Sequence, residues 1–356
     1  MIPKDFSTKK IMTPGPVPLP EYVKKSLHDY ECHHRMAAFS EILVQVFADL
    51  KKVFQTERHC YVLASTGTGG LEAAFINTVS TQDKILYINA GKFGERWGKI
   101  ATAFRVQADP VQVPWGQDVN LNQVEDLLKK GQYQGLAFQA CETSTGALLP
   151  VQELCSLAQK YNVLSMVDAI TALGAVDLPM DKWGIDVLIG GSQKAFMLPT
   201  GLSFLSLSKR AEQLQSDIPS FYFNLRAEKK QNEEGKTCWS TPTHPVLALS
   251  LVLDNILNKV GLFSFFSSIE ERADHFRQQV GLPLFPQTSS PSLSCLKVPE
   301  NVSAKQIVKK VYQDGYMIVA GQDQLEDKVL RVGHMGHMSL QDLTAVAKSI
   351  KTHCHG

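Results

Sequence analysis

The stretch Ile185-Asp186-Val187-Leu188-Ile189-Gly190-Gly191-Ser192-Gln193-Lys194-Ala195-Phe196 runs from branched apolar residues through a glycine pair to a lysine. The short apolar run, bounded by glycines, reads as a buried strand of an α/β sheet. Open α/β sheets bind ligands just beyond the carboxyl ends of their strands, which is where Lys194 stands. Desolvation and neighbouring cations both lower an ammonium pKa. The neutral amine that results is the form that condenses with a carbonyl. A lysine at a strand end is also an ordinary surface residue, so the reading depends on what the rest of the chain supplies.

Tyr161-Asn162-Val163-Leu164-Ser165-Met166-Val167-Asp168 is a second apolar strand, and it ends in a carboxylate. Among carbonyl cofactors, pyridoxal phosphate needs an acid opposite its ring nitrogen to keep the pyridinium protonated. An aspartate at the end of a neighbouring strand reaches that position, although aspartate is also a favoured helix N-cap. Ala64-Ser65-Thr66-Gly67-Thr68-Gly69-Gly70 leads into the helical sequence Leu71-Glu72-Ala73-Ala74-Phe75-Ile76. Glycines there admit backbone amides to an anion, and a helix N-terminus adds partial positive charge. No Gly-Lys-Ser/Thr follows, and the glycine spacing is not that of a dinucleotide fingerprint. Arg331, in Val329-Leu330-Arg331-Val332-Gly333, offers a guanidinium fork that suits a carboxylate.

With these motifs on the page, the chain resembles the class V aminotransferases, in the serine–pyruvate/alanine–glyoxylate branch. The resemblance covers nearly the whole length. It also runs through Thr13-Pro14-Gly15-Pro16, Gly91-Lys92-Phe93-Gly94-Glu95-Arg96-Trp97, Glu142-Thr143-Ser144-Thr145-Gly146 and His334-Met335-Gly336. It implies fold type I of the pyridoxal-phosphate enzymes: an α/β large domain with a mostly parallel sheet covered by helices, and a smaller α+β C-terminal domain. The implied divisions are an N-terminal segment 1–17 lining the substrate pocket, a cofactor domain 18–244 and a small domain 245–356.

By the same resemblance, Lys194 carries pyridoxal 5'-phosphate as a Schiff base and then shuttles the α-proton, while Asp168 pairs with the pyridinium. Thr66, Gly67 and Thr68 match phosphate-binding positions. Phe93 matches the aromatic that stacks on the cofactor ring, where relatives often carry tryptophan. Thr143 matches a contact on the ring-hydroxyl side, and Gln193 a polar neighbour. Arg331 and the Gly15 backbone match substrate contacts. Thr243, in Trp239-Ser240-Thr241-Pro242-Thr243, matches a hydroxyl that reaches the phosphate of the other subunit, which implies a homodimer with composite sites. The implied reaction is transamination of a small L-amino acid, alanine or serine, with glyoxylate or pyruvate. Two features depart from the family pattern: a short stretch from Arg272 to Phe285, and Gln322-Asp323-Gln324 in place of a more glycine-rich bend.

Composition limits the alternatives. Over 356 residues, 36 Lys and Arg face 35 Asp and Glu, so no basic excess recommends nucleic acid or an anionic membrane. No apolar run is long enough to span a bilayer, and Met1–Lys10 lacks the core of a signal peptide. Seven scattered cysteines without a CxxC suit a reducing, cytoplasmic setting. The histidines lack paired metal-ligand spacing, so no metal is expected, and His353-Cys354-His355 reads as a frayed tail. The polar run Arg226–Lys236 reads as a solvated loop. A cysteine desulfurase would share the fold but needs a mobile nucleophilic thiol, and Cys295 falls in a strand. A non-catalytic partner subunit, the other alternative, would be expected to lose Lys194, Asp168 or Arg331, and all three are present.

Overall fold

Residues 9–355 are described by the computed structural model. Its centre is a sheet of seven strands: β1 (Cys60–Leu63), β2 (Lys84–Asn89), β3 (Gln107–Gln112), β4 (Gly135–Gln139), β5 (Leu164–Asp168), β6 (Val187–Gly191) and β7 (Ser203–Leu207). Their spatial order is β1-β7-β6-β5-β4-β2-β3. β7 runs antiparallel to both its neighbours, and the other pairings are parallel. Strands β4 to β7 are buried at every residue, as strands covered on both faces must be. Strands β5 and β6 fall within the two apolar stretches that end at Asp168 and lead to Lys194. Edge strand β3 escapes the apolar pattern, because only one of its six residues is buried and it carries Pro110, which an edge strand tolerates.

The helices used below are α1 (Ala37–Phe54), α2 (Gly67–Thr78), α3 (Glu95–Ala103), α4 (Val151–Lys160), α5 (Leu225–Asn232), α6 (Thr243–Asp254), α7 (Leu262–Val280), α8 (Ala304–Gln313) and α9 (Leu340–His355). Successive strand side chains go to opposite faces, and the two apolar clusters record it. Leu86, Ile88, Leu136, Phe138, Val167 and Leu188 pack with the α1 stripe Phe39, Leu43, Val46, Phe47, Leu50, Val53 and Phe54. Ile85, Ala137, Met166, Val187 and Ile189 pack with Leu71 and Phe75 of α2. A third cluster joins Met12 to α7, α8, α9 and a C-terminal sheet of β8 (Leu293–Lys297), β9 (Val319–Ala320) and β10 (Val329–Gly333).

Three local expectations are corrected. The polar run 226–236 is not a solvated loop: α5 occupies most of it, begun by the Asn224 side chain accepting from the Ala227 N–H. Glu228 and Asn232 of α5 are buried. They stay inside because they are hydrogen-bonded: Glu228 accepts from Asn232 and from the Cys238 N–H, both at 3.0 Å. The segment Met317–Ala320, whose sequence reads as a single strand of the small domain, is not one strand. Tyr316–Met317 pairs with Lys10–Ile11, and Val319–Ala320 pairs with β10. The C-terminus is no frayed tail either. α9 continues through it, with Cys354 in the third cluster and His353 Nε2 2.8 Å from Asp314. Of the 1–17 segment, residues 1–8 lie outside the described residues.

At the end of the sheet opposite Lys194, Asp186 fixes β5 against β6. Its buried carboxylate accepts from the Ser165 N–H at 3.0 Å, Ser208 Oγ at 2.7 Å and Arg210 Nε at 2.6 Å. Removing it strands a buried N–H and a partly exposed guanidinium. Asp186→Ala is expected to cost about 2–3 kcal/mol, read as a lowered urea midpoint at unchanged m-value.

Candidate active site

Residues following β1, β2, β4, β5 and β6, together with Thr200 before the reversed β7, line one cavity of about 270 Å³. Lys194 is buried there, and its Nζ donates to the Pro14 carbonyl at 2.9 Å. Gly15 lies against the same amine. A Cβ at Gly15 would stand 2.5 Å from Nζ, and its φ of +147° disfavours any other residue. Burial lowers the Lys194 pKa to about 8. Cys141 and Asp168 oppose the shift, and the Arg331 and Arg96 cations add to it. Asp168 ends the neighbouring strand β5, with its carboxylate accepting from the Ile170 N–H at 3.0 Å. Burial pushes the Asp168 carboxyl up to about 6, against the pull of that N–H and of Arg96.

Nine of the eleven residues expected in the site line this cavity: Gly15, Thr66, Gly67, Thr68, Phe93, Thr143, Asp168, Gln193 and Lys194. Thr66 caps α2 with no side-chain bond to the helix, so the first N–H groups of α2 remain available to an anion. Thr143 Oγ1 shares a 2.7 Å hydrogen bond with Thr171 Oγ1. Arg331 sits one layer behind, donating from Nη1 to the Thr143 carbonyl at 3.2 Å and from Nε to the Ala320 carbonyl at 3.1 Å. Thr243, at the start of α6, does not line the cavity of its own chain.

Sequence reading passed over Arg96, Cys141, Ile170, Thr171 and Thr200, which also line the cavity. Arg96 carries the most chemistry. Its guanidinium lies 4.8 Å from the centre of the Phe93 ring and donates to Thr68 Oγ1 at 3.0 Å. The signal was present, since Arg96 follows Phe93 by three residues, the spacing of neighbours on one helical face. Glu142 is fully buried and organises the wall: it accepts from the Phe93, Gly94 and Ser144 N–H groups and from Gln139.

These groups fit pyridoxal phosphate. A buried amine faces the cavity beside a carboxylate, an aromatic ring lies under a guanidinium, and a helix N-terminus lies beside two threonines. Gln193 Oε1 is buried with no protein partner among the described residues, an acceptor that the cavity itself must satisfy. The fold and this site define a fold type I pyridoxal-phosphate enzyme.

A profile of the family Aminotransferase class-V matches residues 20–257. The chain is 32% identical to the soluble hydrogenase small subunit of Synechococcus sp. (strain PCC 6716), over 96% of this chain and 91% of that one. It is 31% identical to the L-aspartate–glyoxylate aminotransferase of Paracoccus denitrificans, over 96% and 89% of the two chains. A subgroup IV aspartate aminotransferase from Thermus thermophilus superposes with a TM-score of 0.91 at 28% identity, covering 97% of this chain and 99% of the other. The protein belongs to the class V aminotransferases and is a pyridoxal-phosphate-dependent transaminase.

The lowered Lys194 pKa sets a pH profile for cofactor capture. The neutral amine grows about tenfold per pH unit below about 8 and is saturated above it. Reconstitution of apoprotein with pyridoxal phosphate, followed by visible absorbance, is expected to accelerate up to pH 8 and then level. Continued acceleration to pH 10 would mark an unperturbed lysine. Arg96→Ala is expected to weaken cofactor binding at least tenfold in the same assay, through loss of a cation beside the anion cradle.

Proposed function

We propose that this site moves the amino group of a small L-amino acid, alanine or serine, to glyoxylate or pyruvate. The observation that carries the reading is the state of Arg331. Its guanidinium is buried yet held only by neutral oxygens, from Ala320, Thr143 and Gln322. Among the described residues no carboxylate lies within ion-pair distance of it. A desolvated cation without a counter-ion is matched by a carboxylate that arrives with each substrate. The cations beside Phe93 are already engaged, Arg96 with Thr68 and Lys92 with Asp323 at 2.6 Å. That favours a donor whose side chain is uncharged. Glyoxylate as acceptor accords with the name of the Paracoccus relative.

In this reading, bound pyridoxal phosphate supplies an aldehyde for amine exchange and a ring that draws electrons from the substrate α-carbon. Thr66, Gly67 and Thr68 hold the phosphate, with Arg96 adding charge. Phe93 lies on the ring, Thr143 and Gln193 orient its polar edge, and Asp168 keeps the ring nitrogen protonated. Lys194 Nζ, as a neutral amine, takes the proton from the substrate α-carbon and delivers it to the former aldehyde carbon rather than to the carbon it left. Gly15 leaves that amine room, and Arg331 holds the carboxylate of amino acid and oxo acid in turn.

Two wider features belong to the proposal. Thr243 does not line the cavity of its own chain, which supports a homodimer in which it serves the partner's phosphate. All seven cysteines are free thiols, which supports a cytoplasmic setting. The desulfurase alternative loses support from the thiols themselves. Burial pushes Cys295 up to about 12 and Cys238 to about 11, so neither is poised as a thiolate.

The test is an absorption spectrum of the holoenzyme, titrated with a panel of L-amino acids. The visible band should bleach with alanine or serine and return on adding glyoxylate or pyruvate. Lys194→Ala should abolish turnover; wild-type transamination in that variant would falsify the assignment. Arg331→Ala should raise KM for donor and acceptor alike by roughly 30- to 100-fold, the loss of a charge-assisted pair.

A further inference from the structure

We infer that Gln322 is a substrate-binding residue that occupies one donor of Arg331 and yields it to an arriving carboxylate, to which its own amide then donates. The inference rests on the reading of Arg331 as the carboxylate anchor. The donors of that guanidinium can be accounted for singly. Nε is committed to the Ala320 carbonyl. The two Nη1 hydrogens are committed to the Thr143 carbonyl at 3.2 Å and to Gln322 Oε1 at 3.4 Å. Nη2 has no protein acceptor among the described residues.

A carboxylate gripped end-on takes one hydrogen from each terminal nitrogen, so one Nη1 bond must give way. The Gln322 bond is the longer of the two. It is also the only one made by a side chain, which can turn about its last torsion without moving the backbone. The same turn presents the amide NH₂ where the carbonyl oxygen had been. Gln322 thus holds the fork in register and then becomes a further donor to the substrate.

The loop is built to keep this side chain in place. The Gly321 N–H donates to the Val329 carbonyl at 2.9 Å, and the Leu325 N–H to the Gln322 carbonyl at 2.9 Å. A Cβ at Gly321 would fall 2.0 Å from the Leu325 carbonyl oxygen. Asp323 adopts a φ of +47°, a left-handed conformation uncommon for a non-glycine residue. Its carboxylate is paired with Lys92, next to Phe93. The loop is therefore tied both to the strand of Arg331 and to the wall that carries the aromatic ring. A glycine-rich bend at 322–324 would offer Arg331 no such side chain.

The experiment compares holoenzyme variants by steady-state kinetics. Gln322→Glu places a competing carboxylate on the guanidinium and is expected to raise KM for both amino donor and oxo acceptor tenfold or more, with kcat within twofold. Gln322→Ala removes the donor and is expected to raise both KM values about fivefold. Gln324→Ala, at the exposed neighbouring position, should change neither. The visible band of the bound cofactor should be unaltered throughout, and if Gln322→Glu fails to bind cofactor, Gln322→Ala decides. The inference is overturned if KM stays within twofold in the Gln322 variants while Arg331→Ala raises it. If Arg331→Ala itself leaves both KM values unchanged, the carboxylate anchor is wrong and the inference goes with it.

Discussion

A lysine amine kept out of water is the condition on which the rest of this structure depends. An ammonium in bulk solvent holds its proton at neutral pH, and here burial is the largest cause that makes the neutral form accessible. Burial here is a product of topology. Lys194 follows a strand walled on both faces, Asp168 ends the strand beside it, and Pro14 and Gly15 cross over the amine. The Asp168 carboxylate therefore also acts on the lysine, and its attraction limits how far the pKa falls. A deeper site would give a more acidic lysine but an aspartate too readily neutralised. The two shifts, to about 8 and about 6, leave amine and carboxylate both usable near neutrality.

The second organising element is Glu142, a carboxylate that does not itself line the cavity. By collecting N–H groups from Phe93, Gly94 and Ser144 it binds the chain after β2 to the chain after β4. Phe93 is presented from the turn after β2 and Arg96 from the first turn of α3 that follows it, and Thr143 is the residue next to Glu142. A buried carboxylate is costly unless its lone pairs are filled, and here backbone donors fill them. The aromatic ring, the guanidinium over it and the threonine wall thus take their positions from one anion.

The parts of the site that were legible in the sequence are those that single strand ends present. Lys194 and Asp168 each follow an apolar run, and Thr66-Gly67-Thr68 precedes a helical one, so local pattern and position agree. The groups that qualify them come from far along the chain. The Thr143 carbonyl meets Arg331 across 188 residues, and Gln322 meets it from the loop after β9, in a sheet whose register no periodicity reveals. Fold features escaped where polarity and burial part company. Strand β3 is exposed at an edge and carries a proline, while α5 hides Glu228 and Asn232 through hydrogen bonds that composition cannot show. Arg96 lies within the motif Gly91–Trp97, but its contact with Thr68 exists only once the segments after β1 and β2 meet at one end of the sheet.

Backbone bonds stitch residues 10–12 into the C-terminal half of the molecule. The Lys10 N–H donates to the Gly315 carbonyl, the Met12 N–H to Met317, and the Gly333 N–H to Met12, all at 2.8–2.9 Å. Two residues past Met12, the Pro14 carbonyl is the acceptor for the reactive amine. The strap over Lys194 is therefore, mechanically, an arm of the sheet that carries Arg331. Arg331 and the oxygen that accepts from the Lys194 amine hang from one backbone-bonded unit. Their separation is set by the few peptide units from Met12 to Pro14 and from Gly333 back to Arg331.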